Sequence, residues 1–136
     1  MGVPKCPPGT PTEQCTHVLQ DVATPPASAK YLIATHHHCH APTCLSATLY
    51  FNDTGELICT QRALYGKGTS DKFDEKGYIA LPPCLFGRAV DGLQPPPLVA
   101  GRPILAVFET NATNGHHGEM AIPDLECASD WDFTEK

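Results

Sequence analysis

Apolar residues in this sequence occur in short runs, and several of them have the pattern expected of β-strands. We predict strands near residues 16–22, from Lys30 to His40 and from Ile104 to Thr110. Leu45–Phe51 and Glu56–Arg62 form the clearest hairpin, because two apolar runs flank one group of turn residues. None of the runs has the period of a long amphipathic helix.

The residues between these runs favour turns. Asn52-Asp53-Thr54-Gly55 supplies the hairpin turn, and Gly55 is expected to take a positive φ angle. Fourteen prolines and eleven glycines interrupt the chain, so that strand-like runs recur every 8–15 residues or so. Short strand-like runs separated by turn residues predict an all-β fold, an antiparallel sandwich resembling a jelly roll.

We expect one domain over residues 1–136, with neither an internal repeat nor a domain boundary. Residues 1–15 are predicted to be a loose leader, and residues 128–136 an acidic tail in which Trp131 and Phe133 can anchor the chain. The formal net charge of −6 argues against a nucleic acid or an anionic membrane surface as a partner. No apolar run approaches the roughly 20 residues that span a bilayer.

Seven cysteines are spread along the chain without a Cys-x-x-Cys pair. Their spacing argues against a zinc-finger cage and predicts a framework of about two or three disulfides. Cys6 and Cys15 can pair with each other, or either one can pair with Cys127. Because the count is odd, at least one thiol is unpaired, metal-bound or bonded between chains. A secreted or lumenal protein is expected, although the first residues do not have the features of a signal peptide.

Residues 35–44 contain four of the seven histidines and two of the cysteines. Imidazole and thiolate are common metal ligands, so this segment predicts a metal site. Because side chains alternate along a strand, one face should carry His36, His38 and His40. His37 and Cys39 should point to the other face, where His37 flanks the site or lies in solvent.

A second segment, residues 116–120, contains two histidines and Met120. Met120 is one of only two methionines, and the other is Met1. A thioether is a soft ligand that copper uses more readily than zinc does. We therefore predict a mononuclear copper site formed by His38, His40 and Met120, with one coordination position open to oxygen, water or substrate. Zinc is the alternative metal.

This pattern of His-x-His, a long β segment and a downstream Gly-x-Met resembles the catalytic copper domain of peptidylglycine α-hydroxylating monooxygenase and dopamine β-monooxygenase. The resemblance spans about residues 30–125 and assigns His38 and His40 to the two histidine ligands and Met120 to the thioether ligand. The blocks His-Cys-His-Ala-Pro-Thr-Cys and Gly-His-His-Gly-Glu-Met also look like a branch of that superfamily similar to plant nodulin-related, stress-induced secreted proteins.

The sequence departs from the enzymes of this family in two respects. Cys39 stands where the family has threonine, and we expect it to form a disulfide or pack in the core; as a thiolate ligand it would favour zinc or a blue-copper-like site. The second, electron-supplying copper domain is not expected within 136 residues. His36 can be a third imidazole ligand or support the ligands through hydrogen bonds.

Three functions follow as alternatives. The first is a copper-binding module for storage or delivery of the metal, or the metal module of a larger protein. The second is a monooxygenase-like copper oxidoreductase that uses an external reductant and dioxygen on a small molecule or peptide. The third is a structural zinc site in a secreted binding domain.

Overall fold

Strands account for nearly all of the regular structure in this protein. The computed structural model describes residues 3–11, 14–39, 43–65, 79–113, 115 and 121–133. Within these ranges the strands are β1 Thr16–Ala23, β2 Tyr31–Thr35, β3 His38–Cys39, β4 Cys44–Phe51, β5 Leu57–Arg62, β6 Leu64–Tyr65, β7 Ile79–Ala80, β8 Ile104–Asn111, β9 Ala121–Ile122 and β10 Leu125–Ala128. A 3₁₀ turn spans Ala89–Asp91.

The largest sheet has four antiparallel strands in the order β1-β8-β4-β5. Three further antiparallel pairs are β10-β2, β3-β9 and β6-β7. The all-β, antiparallel fold predicted from the sequence is therefore confirmed. The sandwich arrangement and the jelly-roll connectivity stay predictions.

Alternating side chains of β4 and β8 build the core. Along β8 the buried positions are Ile104, Ala106, Phe108 and Thr110, and the residues between them are partly exposed. Leu32 of β2 is also fully buried and belongs to the same apolar cluster. Strand alternation thus buries one face of the sheet together with the inner side of the β10-β2 pair.

The β4–β5 hairpin forms where the sequence predicts it. Gly55 has a φ angle of 75°, a conformation that residues with a side chain rarely adopt, and its N–H donates to the Phe51 carbonyl oxygen over 2.7 Å. Arg102 donates to Asp53 over 2.9 Å and lies over the Phe51 ring at 3.5 Å. The guanidinium therefore ties the hairpin to the segment that leads into β8.

A buried polar network joins β2 to β5. The Thr35 hydroxyl donates to the Gln61 side-chain oxygen over 2.7 Å and accepts the Cys84 N–H over 3.1 Å. The Gln61 amide donates to the carbonyl oxygens of Leu81 and Pro82, over 3.3 Å and 2.8 Å. Both side chains are almost fully buried, and these bonds satisfy polar groups that would otherwise destabilise the fold.

Both ends of the described chain contact the body of the protein. Val3 and Cys15 are buried with Ala112 in a small apolar cluster next to the end of β8. The Cys6 N–H donates to the Ala112 carbonyl oxygen over 3.0 Å. In the acidic tail, the Phe133 ring packs edge-on against Tyr31 at 5.4 Å.

Candidate metal site

The histidine-rich segment lies on an antiparallel ladder that is interrupted once. The sequence predicts one strand from Lys30 to His40, but β2 ends at Thr35 and β3 begins at His38. Thr35 pairs with Leu125, and Cys39 pairs with Ala121. Three residues separate these two pairs on each strand, so β2–β3 and β10–β9 keep one register across the interruption.

Pro123 explains the interruption. It stands between β9 and β10 and has no N–H to donate to a ladder. The His36 N–H still donates to the Asp124 carbonyl oxygen over 3.0 Å. The Asp124 N–H donates to Nδ1 of the His37 side chain over 3.1 Å. The His37 imidazole thus accepts a backbone hydrogen bond at the point where regular backbone pairing stops.

Side chains alternate between two faces along this segment, as the sequence predicts, and one of these faces is buried. His36 and His38 are exposed, whereas His37 and Cys39 are 7% and 6% exposed. Cys39 forms a disulfide with Cys44, which confirms the expected disulfide and removes Cys39 as a thiolate ligand. The chemistry of this site therefore excludes the blue-copper-like set that includes a cysteine.

The environment of His37 differs from the expectation that this side chain flanks the site or lies in solvent. Its ring packs edge-on against Phe108 at 5.8 Å, inside the core. Burial lowers the pKa of His37 to about 4, outweighing the nearby Asp124 carboxylate, which raises it. Because Nδ1 accepts a hydrogen bond, the neutral ring carries its proton on Nε2, which is buried and has no partner among the described residues.

His36 has a partner of its own on the exposed face. Its Nε2 lies 3.4 Å from the carboxylate of Glu126, which belongs to β10. This contact explains how an exposed imidazole is held without a metal ion. The prediction of His36 as a third imidazole ligand stays a prediction.

Of the three predicted copper ligands, the structure describes His38. Its side chain is exposed, and its backbone pairs with Ile122 of β9. His40 and Met120 lie outside the described residues, as do the two histidines and Glu119 that precede Met120 in the sequence. Within the described ranges, no group of three or more His, Cys, Asp or Glu side chains is placed to hold a metal ion.

All seven cysteines lie in the described ranges. The disulfides are Cys6–Cys15, Cys39–Cys44 and Cys59–Cys84. Three disulfides are typical of an oxidising environment, extracellular or lumenal. In the part of the chain that is described, no helix is both long and apolar enough to cross a membrane.

Cys127 is the unpaired cysteine, which the sequence alone did not identify. It is half-buried, and burial raises the pKa of its thiol. Cys127 lines a cleft of about 360 Å³, together with Leu125 and residues of the 23–29 segment.

Comparisons with protein-family models, with curated proteins and with solved structures found no match to this chain. The resemblance to the copper monooxygenases therefore rests on the residues of the two histidine-containing segments alone.

Proposed function

We propose that this protein is a copper-binding β-domain that holds one copper ion through His38, His40 and Met120. The observation that carries the proposal is the pairing of β3 with β9, in which Cys39 lies opposite Ala121. In the sequence His40 directly follows Cys39, and Met120 directly precedes Ala121. Two segments that are about 80 residues apart in the sequence are therefore paired through residues that directly neighbour two of the predicted ligands.

The proposal extends the observed register by one residue, so that His40 and Met120 become the next pair of the ladder. Directly opposite residues of an antiparallel pair project to the same face. His38, two residues before His40, shares that face as well. Two imidazoles and a thioether then approach one point from two adjacent strands.

The surrounding contacts support this set over the other ligands in the segment. Cys39 is bonded to Cys44, and His37 is turned into the core with Nδ1 engaged by Asp124. His36 is paired with Glu126. A soft thioether beside two imidazoles favours copper, above all Cu(I), over zinc. Metal storage or delivery needs these ligands and no further catalytic group, and it is the function that we propose.

The metal preference and the ligands can be tested by competition titration of the oxidised protein with a Cu(I) chelator. We expect His38→Ala or His40→Ala to weaken Cu(I) binding by more than about 100-fold, and Met120→Ala by at least about tenfold. His36→Ala is the matched control, because it removes an exposed imidazole of the same segment and should leave the affinity unchanged. Unchanged binding in all three ligand variants would refute the proposal.

Two further measurements separate the alternatives. Zinc affinity that exceeds Cu(I) affinity under competition, and that is insensitive to Met120→Ala, would indicate the structural zinc site instead. Oxygen consumption by the copper-loaded protein with ascorbate distinguishes a catalyst from a carrier. We expect uptake no faster than that of the His38→Ala variant.

A further inference from the structure

The outer edge of β1 is a long, regular strand edge that the described chain leaves without a backbone partner. The Cys15 carbonyl oxygen accepts the Ala112 N–H over 2.9 Å, and the Thr110 hydroxyl donates to the His17 carbonyl oxygen over 3.2 Å. Because backbone groups alternate in direction along an antiparallel strand, odd-numbered residues of β1 face β8. The N–H and C=O groups that point away from the sheet belong to Thr16, Val18, Gln20 and Val22.

Position Asn111 gives independent support for this assignment. Asn111 pairs with Thr16 in the register, yet its N–H donates to the Thr43 carbonyl oxygen over 2.7 Å, on the opposite side of β8. Thr16 and Asn111 are therefore not a hydrogen-bonded pair, as the alternation requires. Among the described residues, no backbone hydrogen bond reaches the outward groups of β1.

The two edge strands of the four-stranded sheet, β5 and β1, differ in the contacts that they make with the rest of the chain. At the β5 edge, the side chain of Gln61 reaches the Leu81 and Pro82 carbonyl oxygens, and Cys59 is bonded to Cys84. At the β1 edge, the register with β8 continues over eight residues without a bulge. Its sequence, THVLQDVA, has neither proline nor lysine, two residues that commonly protect a free edge from pairing.

Two apolar side chains on this edge strand are exposed. Val18 and Val22 are 45% and 50% exposed and lie on one face of β1, four residues apart. Gln20, between them, is exposed too. An unprotected edge that also presents apolar side chains is the feature expected where a further strand is added.

The sequence of β1 is complementary to itself in one register. We propose that two copies of this chain pair through their β1 strands, antiparallel about a two-fold axis at Leu19. Thr16 then pairs with Val22 of the other copy, and Val18 with Gln20, so that every outward N–H and C=O group of the strand is bonded. The two four-stranded sheets become one continuous sheet.

Side-chain contacts favour a two-fold axis at Leu19 over one at Gln20. About the Leu19 axis, the non-hydrogen-bonded positions, where side chains approach most closely, place His17 of each copy opposite Asp21 of the other. Leu19 lies opposite itself, and Val18 is diagonal to Val22 of the second copy. An axis at Gln20 would instead place Leu19 against the Asp21 carboxylate. His17 would then lie opposite Ala23 and lose its carboxylate partner.

The test is sedimentation equilibrium of the full chain up to about 1 mM, in a Cys127→Ser background that excludes an intermolecular disulfide. We expect a species of twice the 14.6 kDa chain mass. Gln20→Pro removes an outward N–H without touching the bonds to β8, and should weaken association at least about tenfold at unchanged folding. A chain that stays monomeric throughout this range would overturn the proposal and leave the edge to a strand from another protein.

A charge swap tests the register even if Gln20→Pro fails to fold. His17→Asp places two carboxylates opposite each other and should weaken the dimer at least about tenfold. Adding Asp21→His to that variant places an imidazole opposite each new carboxylate and should restore the dimer. A dimer that is insensitive to His17→Asp, or a double variant that associates no better than the single one, would overturn the proposed pairing.

Discussion

Asp124 donates its backbone N–H to Nδ1 of His37 over 3.1 Å, at the point where the ladder between β2–β3 and β9–β10 is interrupted by Pro123. The bond holds the imidazole inside the core, against Phe108. His37 is therefore buried, whereas its sequence neighbours His36 and His38 are exposed. Of these three consecutive histidines, one has a structural role in the core and two lie at the surface.

The stability of the metal-free protein should therefore depend on pH through His37. In the unfolded chain this imidazole takes up a proton near its ordinary pKa of 6.5, whereas burial in the folded chain lowers that pKa to about 4. Acidification between these values favours the unfolded state, because only that state gains the proton. We expect the free energy of unfolding to fall by at most about 3 kcal/mol over this interval.

Urea denaturation at a series of pH values, with a chelator present, measures this dependence. His37→Phe keeps an aromatic ring in the core and cannot be protonated, so its stability should fall less steeply between pH 6.5 and pH 4. His36→Gln alters the exposed neighbour and should keep the wild-type slope. Equal slopes for wild type and His37→Phe would contradict the assigned role of burial.

The disulfide pattern predicts one reactive thiol per folded chain. Alkylation of the unreduced protein followed by peptide mass mapping should label Cys127, and labelling should speed up on denaturation because burial raises the pKa of this thiol. A Cys127→Ser variant should take up no label. Label on Cys39 or Cys44 would contradict the disulfide that removes Cys39 from the metal ligands.

Gln61 should be the most sensitive polar residue of the core. Gln61→Leu has a similar volume but leaves the Thr35 hydroxyl and the carbonyl oxygens of Leu81 and Pro82 without their partner. We expect a loss of about 1–3 kcal/mol in the free energy of unfolding, measured by urea denaturation. Glu56→Gln, at an exposed position in the turn of the same hairpin, is the control and should change stability by less than about 0.5 kcal/mol.

Much of the fold follows from local sequence patterns. The hairpin of β4 and β5, the first strand and β8 all lie where alternation and turn residues predict them, because these signals act over a few residues. The interruption at His36 and His37 was missed, since it is caused by Pro123 on the partner strand, far away in the sequence. Pro123 is a recognisable signal, but only the pairing shows which residues it affects.

In the candidate site, too, some features follow from local sequence patterns and others depend on distant residues. Alternation predicted that Cys39 turns away from His38, and its disulfide agrees. The burial of His37 and the contact of His36 with Glu126 depend on β10 and on the core, which sequence spacing does not reveal. The choice of Cys6–Cys15 over a bond to Cys127 also required the fold, because both pairings are possible for a chain of this composition.

The X-ray absorption spectrum of the Cu(I)-loaded protein tests the central proposal most directly, because it reports the elements bonded to the metal. We predict two nitrogen ligands and one sulfur ligand in the wild type, and loss of the sulfur in Met120→Leu with the disulfides intact. A spectrum without sulfur, or one in which the sulfur persists in Met120→Leu, would contradict a copper site formed by His38, His40 and Met120.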